Sequence, residues 1–179
     1  MNTELAECAL LAADMEYYDA RFQEDSQALI FSLMQVSTWK SDYIFDIFMV
    51  RDALRRQKED GSLAHIFANE GIVKILHGSD NDLKLLAADL DMIMVNLFDT
   101  ARVLGFIHKL PENFEDGFQI GKNMNFLSLD KLTKLFLDID MDKFFQVSDW
   151  AIRPLPEGMM NYARSDTHYL IPTFLLVVQ

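Results

Sequence analysis

A single cysteine, Cys8, stands in the 179-residue chain, so no internal disulfide can form and a disulfide scaffold is excluded. Four prolines and seven glycines are too few for a collagen-like or low-complexity chain. The longest stretches free of Asp, Glu, Lys and Arg cover 26–39 and 167–179, and both fall short of the roughly 18–20 apolar residues of a membrane span. The opening MNTELAEC has no basic segment, so no signal peptide is expected there. Basic residues are scarce as well: 16 Lys and Arg against 28 Asp and Glu give a formal charge of −12. A surface that acidic repels nucleic acid unless its charge is unevenly placed or partly neutralised. Half of the residues are hydrophobic, which excludes a disordered chain, and the length suits one domain with a large core. The expectation is a soluble intracellular protein, with residues 1–179 forming one domain and no membrane partner.

Several familiar chemical signatures are missing. There is no G-x-x-x-x-G-K-[ST] and no G-x-G-x-x-G, so P-loop and dinucleotide readings lack support. His65, His77 and His168 do not fall into metal-ligand spacing with each other or with Cys8, which argues against zinc. No nucleophile elbow is present.

What is there is an alternation of short apolar runs with helical patterns. Strands are expected at 9–13, 28–36, 42–48, 72–76 and 93–98. Helical patterns cover 50–69, broken at Gly61 with Ser62 as a cap, and 80–90 after Ser79. A further helix begins at Ser128, and another at Pro156, to be ended or kinked by Pro172. Residues 108–125 read as a long loop, a length that is usually functional or disordered. Strands first and then helices point to an α/β domain with a mixed sheet.

The chemistry in the chain is acidic. Asp14 and Glu16 form a D-x-E pair at the end of the first strand, where residues i and i+2 share a face. Such a pair supplies the clustered oxygens that hard divalent cations require. Alone the motif is weak: Asp80/Asp82, Asp89/Asp91, Asp138/Asp140 and Asp140/Asp142 repeat it, about as often as chance provides. Asp82 lies in the first turn of a helix, where a carboxylate also complements the dipole. Tyr162 and Asp166 are i and i+4 on one helix face. Asp99 reads as a helix cap and Trp150 as a core residue.

Taken in order, D-x-E (Asp14, Glu16), HGSDND (Asp82) and Y-x-x-x-D (Tyr162, Asp166) resemble the DEDD exonucleases of the tyrosine branch. The longer segments LMQVST at 33–38, VKILHGSDNDLKLL at 73–86, VNLFDT at 95–100 and DWAIRPLPEGMMNYARSDTHYL at 149–170 are similar to the RNase D family, and most to its eukaryotic branch, the 3′→5′ exoribonuclease that works with the nuclear exosome.

That resemblance implies a ribonuclease-H-like fold with a mixed five-stranded sheet flanked by helices. It implies two divalent metal ions, Mg²⁺ or Mn²⁺, with Asp14 bridging both. Glu16 and Asp166 would complete one site, and Asp82 would support the other through water. Tyr162 would orient the attacking water. The substrate would be the 3′ end of single-stranded RNA, cut to nucleoside 5′-monophosphates by a monomer working with the exosome core, in the nucleus if the chain is eukaryotic and otherwise in the cytoplasm. Met15 and Tyr17 are candidates for the pocket of the last nucleotide. His77 and Arg153 are candidates for phosphate contact, with a buried imidazole and a structural ion pair as their alternatives. Leu85 stands where relatives carry tryptophan, Ala151 replaces a common basic residue, and no helical HRDC domain is expected to follow. The same fold serves two other readings, a DNA-directed 3′→5′ exonuclease and an interaction module of an RNA-processing assembly. The −12 charge predicts weak, salt-sensitive RNA binding, even with two divalent ions offsetting the four carboxylates.

Overall fold

The computed structural model describes residues 3–19, 29–103 and 128–178. The expected loop at 108–125 lies outside the described residues. Five strands form one sheet in the order β3-β2-β1-β4-β5. They are β1 (Leu10–Asp19), β2 (Leu29–Ser37), β3 (Asp42–Asp46), β4 (Val73–Leu76) and β5 (Leu97–Asp99). β1, β2 and β3 pair antiparallel, whereas β4 and β5 run parallel to β1, so the mixed α/β sheet is as expected. Among the described residues the helices are α1 (Thr3–Glu7), α2 (Ile47–Arg56), α3 (Leu63–Ala68), α4 (Asp80–Leu90), α5 (Thr100–Val103), α6 (Leu129–Leu137), α7 (Glu157–His168) and α8 (Leu170–Val177). None of them is long and apolar enough to cross a membrane.

The alternation along β1 decides what lies on each face. Leu11, Ala13 and Met15 enter the main core, where Ile47 and Leu54 of α2, Ile66 and Phe67 of α3 and Leu86 of α4 meet them. Ala12 faces the other way, onto Leu170 and Ile171 of α8. Leu33 of β2 shares this second face with Met159 and Ala163 of α7 and with Trp150. The central strand is therefore covered on both sides, which is why its apolar run does not alternate with polar residues.

The register slips once. Glu16 pairs with Leu33 but Tyr17 pairs with Phe31, leaving Ser32 as the extra residue of a bulge. The bulge resets the parity, so Phe31 enters the main core while Leu33 faces α7. The Ser32 hydroxyl then donates to the Trp150 carbonyl and ties the chain before α7 to the sheet.

Four boundaries differ from the sequence expectation, each for a local reason. β1 continues to Asp19 rather than stopping at 13, because β2 supplies antiparallel partners to its polar half. β3 stops at Asp46, whose carboxylate accepts the Phe48 N–H and caps α2. β5 is confined to Leu97–Asp99, after left-handed residues Asp91 and Asn96 turn the preceding segment. Pro172 does not end the last helix; it sits in the first turn of α8, where its missing N–H costs no helical bond, while α7 ends at His168. Ser62 caps α3 as expected, accepting the His65 N–H. Gly158 is required by proximity: a Cβ there would lie 2.7 Å from the Phe145 ring.

Candidate active site

β1 carries Asp14 and Glu16 side by side on the face that α7 covers, and α7 presents Tyr162 and Asp166 back to them. Asp14, Glu16 and Asp166 each offer an oxygen, and these oxygens lie within 4.8 Å of one another. Asp82 belongs to the first turn of α4 and lines the same cleft, together with Tyr162, His77 and Met15. The cleft has a volume of about 400 Å³. The five expected active-site residues thus share one cleft, with Asp82 apart from the tighter group of three.

The electrostatics of this group are adverse in the absence of a cation. Burial pushes all four carboxyls above the ordinary carboxylate range. Asp14, Asp166 and Asp82 add repulsion at Glu16, and Asp14 does the same at Asp82 and Asp166. Burial also raises the Tyr162 phenol, with further push from Asp166, Glu16 and Asp14. Tyr162 therefore keeps its proton. An oxygen-only donor set with this much unneutralised charge fits hard divalent cations such as Mg²⁺ or Mn²⁺.

The turn that begins α4, the helix carrying Asp82, is fixed by a second carboxylate. Asp99 accepts from Gly78 N (2.9 Å), from Ser79 N and Ser79 Oγ (3.0 Å each), and from Ala101 N (3.0 Å). It caps α5, as the sequence suggested, and it also fixes the turn that starts α4, where Gly78 adopts φ 74°. Its backbone donors hold its own carboxyl below the ordinary range despite burial. Asp99→Ala strands three backbone donors at about 1–3 kcal/mol each. The expected loss is about 3–5 kcal/mol, read as a lower urea midpoint with unchanged slope.

The softer candidates separate. Met15 and Tyr17 line the cleft, although Met15 is also part of the main core and Tyr17 packs against it. His77 lines the cleft and bonds Thr100 Oγ1 through Nδ1 at 2.9 Å. Arg153 is not brought to the cleft, which corrects its assignment to substrate binding. Its guanidinium is committed to Asp46, at 2.6 and 2.9 Å, and to the carbonyls of Trp150 and Ile152. A bidentate pair with carbonyls on its remaining donors leaves none aimed at phosphate. Arg153→Met is expected to cost about 2 kcal/mol in thermal stability while leaving KM for substrate unchanged; a raised KM would restore the phosphate role.

Sequence reasoning missed Lys143. It is the one lysine or arginine among the described lining residues, and its Nζ rests 2.6 Å from Asp130 Oδ1. It lies in an irregular stretch after α6, where no periodicity or spacing singles it out.

A family model described as 3′-5′ exonuclease matches residues 1–176, and the chain belongs to that family. Exosome complex component 10 of Homo sapiens is 34% identical over 171 residues, covering 96% of this chain and 16% of that protein. The Drosophila melanogaster homolog is 37% identical over 168 residues, covering 94% and 16%. The chain therefore spans about a sixth of the length of these relatives. Among solved structures, the catalytic core of RRP6 from Trypanosoma brucei superposes with a TM-score of 0.76 at 28% identity, covering 98% of this chain and 42% of that one. The sheet and its flanking helices are those of this family's fold.

Proposed function

We propose that the chain is a divalent-metal-dependent 3′→5′ exoribonuclease that releases nucleoside 5′-monophosphates from single-stranded RNA. The observation that carries the reading is the convergence of Asp14, Glu16 and Asp166 within 4.8 Å, in a cleft shared with Asp82 and Tyr162. Asp14, Glu16, Asp82 and Asp166 would hold the cations, with Asp14 serving both, Glu16 and Asp166 completing one site and Asp82 supporting the other. When bound, the cations supply the Lewis-acid charge that makes water a nucleophile at neutral pH and stabilises the leaving 3′-oxygen. Tyr162, a protonated phenol in the same cleft, orients water instead of removing its proton. Lys143, at the cleft rim, offers an ammonium to substrate phosphate in exchange for Asp130. The relatives named as exosome complex component 10 support an exosome as the partner; RNA as the substrate and the nucleus as the location are part of the same proposal.

The experiment is release of mononucleotides from single-stranded RNA with Mg²⁺ or Mn²⁺, beside a DNA strand of the same sequence. Faster release from RNA supports the reading, and a DNA preference overturns it. A folded protein that degrades neither supports the interaction module instead. Binding is a separate prediction. The −12 charge is expected to give weak affinity for RNA that falls further with salt, measured by fluorescence anisotropy; tight binding of long RNA at physiological salt would contradict it.

A further inference from the structure

Gln35 lies in the interior of β2 with no exposed surface, yet neither end of its carboxamide, Nε2 or Oε1, has a hydrogen-bond partner. Buried amides are nearly always paired, and an unpaired one opposes folding. Its surroundings say what it faces. In the β1–β2 ladder Gln35 is directly opposite Asp14, and opposite residues of an antiparallel pair share a face with Cβ atoms about 5 Å apart. Its i−2 neighbour Leu33 packs against Trp150, Met159 and Ala163. Its i+2 neighbour Ser37 meets Thr167 of α7, with 2.6 Å between the hydroxyl oxygens. Gln35 therefore lies under α7 between Ala163 and Thr167, on the face where Asp14 and Asp166 converge.

We infer that Gln35 is a positioning residue of the carboxylate cluster, and that its amide finds partners when the cluster holds a divalent cation. The inference rests on the cation-binding reading of that cluster. Nε2–H is a donor for carboxylate oxygens, and Oε1 is an acceptor for water ordered at the site. Groups behind metal ligands orient them, and their loss typically weakens binding 10–100-fold. Gln35 thus adds to the cost of the cation-free protein and to the stability of the loaded one, and the sign of its effect reverses with cation.

Two substitutions test this, Gln35→Met and Gln35→Leu, both of similar bulk and without polar atoms. In EDTA each is expected to melt at the wild-type temperature or higher, because an unpaired amide has been removed. Calorimetric titration with Mn²⁺ is expected to show binding weakened about tenfold or more. A lower melting temperature in EDTA for both variants, or failure of both to fold, would make the side chain structural and overturn the inference. Wild-type Mn²⁺ affinity in a folded variant overturns it as well. If the wild type itself takes up no Mn²⁺, the cation-site reading falls and takes this inference with it.

Discussion

Asp166→Asn is expected to fold, to melt no lower than the wild type in EDTA, and to release mononucleotides at least about a thousandfold more slowly. The loss and the stability have one cause. Asp166 is one of three carboxylates whose oxygens lie within 4.8 Å, and burial with Asp14 beside it raises its proton affinity. Asparagine keeps the shape and removes a charge that burial opposes, so the cation-free fold gains or stays level. The same change removes an anionic oxygen from a site that two divalent ions are proposed to share. Lewis-acid stabilisation of a phosphoryl transition state is worth several kcal/mol, and about 4 kcal/mol corresponds to three decades in rate. The assay is release of mononucleotide from single-stranded RNA labelled along its length, in Mg²⁺ and in Mn²⁺, with melting curves on the same preparations. Activity within tenfold of wild type would remove Asp166 from the metal site.

The two halves of this site were not equally legible in the sequence. Tyr162 and Asp166 were readable as a pair because helical spacing alone puts i and i+4 on one face. Asp14 and Glu16 are readable as a pair, but the apolar run alone ends the strand at 13, whereas they lie well inside β1. Pairing with β2 keeps DMEYYD extended, and strand pairing is a non-local fact that composition does not encode. Gln35 sits inside the LMQVST segment with no local signal of a role, since its interest depends on what lies opposite it. Lys143 and the second duty of Asp99 depend in the same way on contacts between distant segments. Arg153 shows the reverse error. A cation in an acidic chain invites a phosphate role, but the carboxylate that claims it is Asp46, 107 residues away in sequence.

The cation-free protein is expected to lose stability as pH rises from about 5 to 9, and Mn²⁺ is expected to abolish most of that loss. Asp14, Glu16, Asp82 and Asp166 all bind protons more tightly folded than unfolded, chiefly through burial. The native state therefore carries more protons than the unfolded chain above the ordinary carboxylate range near pH 4. Their contribution is fully present below that range and declines as pH climbs toward the raised native values. Asp46 and Asp99 run the other way, since arginine in one case and backbone donors in the other lower them; their contribution is lost only as pH falls below about 4. The two trends place the stability maximum in EDTA near pH 5. Each tenfold difference in proton affinity is worth about 1.4 kcal/mol, so the cluster accounts for several kcal/mol by pH 9, a fall in melting temperature on the order of 10 °C. A divalent cation binds the deprotonated cluster and must displace its protons, so its stabilising effect grows over the same interval. Melting curves from pH 5 to 9, in EDTA and in excess Mn²⁺, check both slopes. A flat profile in EDTA would mean that the four carboxyls ionise normally, and parallel profiles would mean that Mn²⁺ binds somewhere other than this cluster.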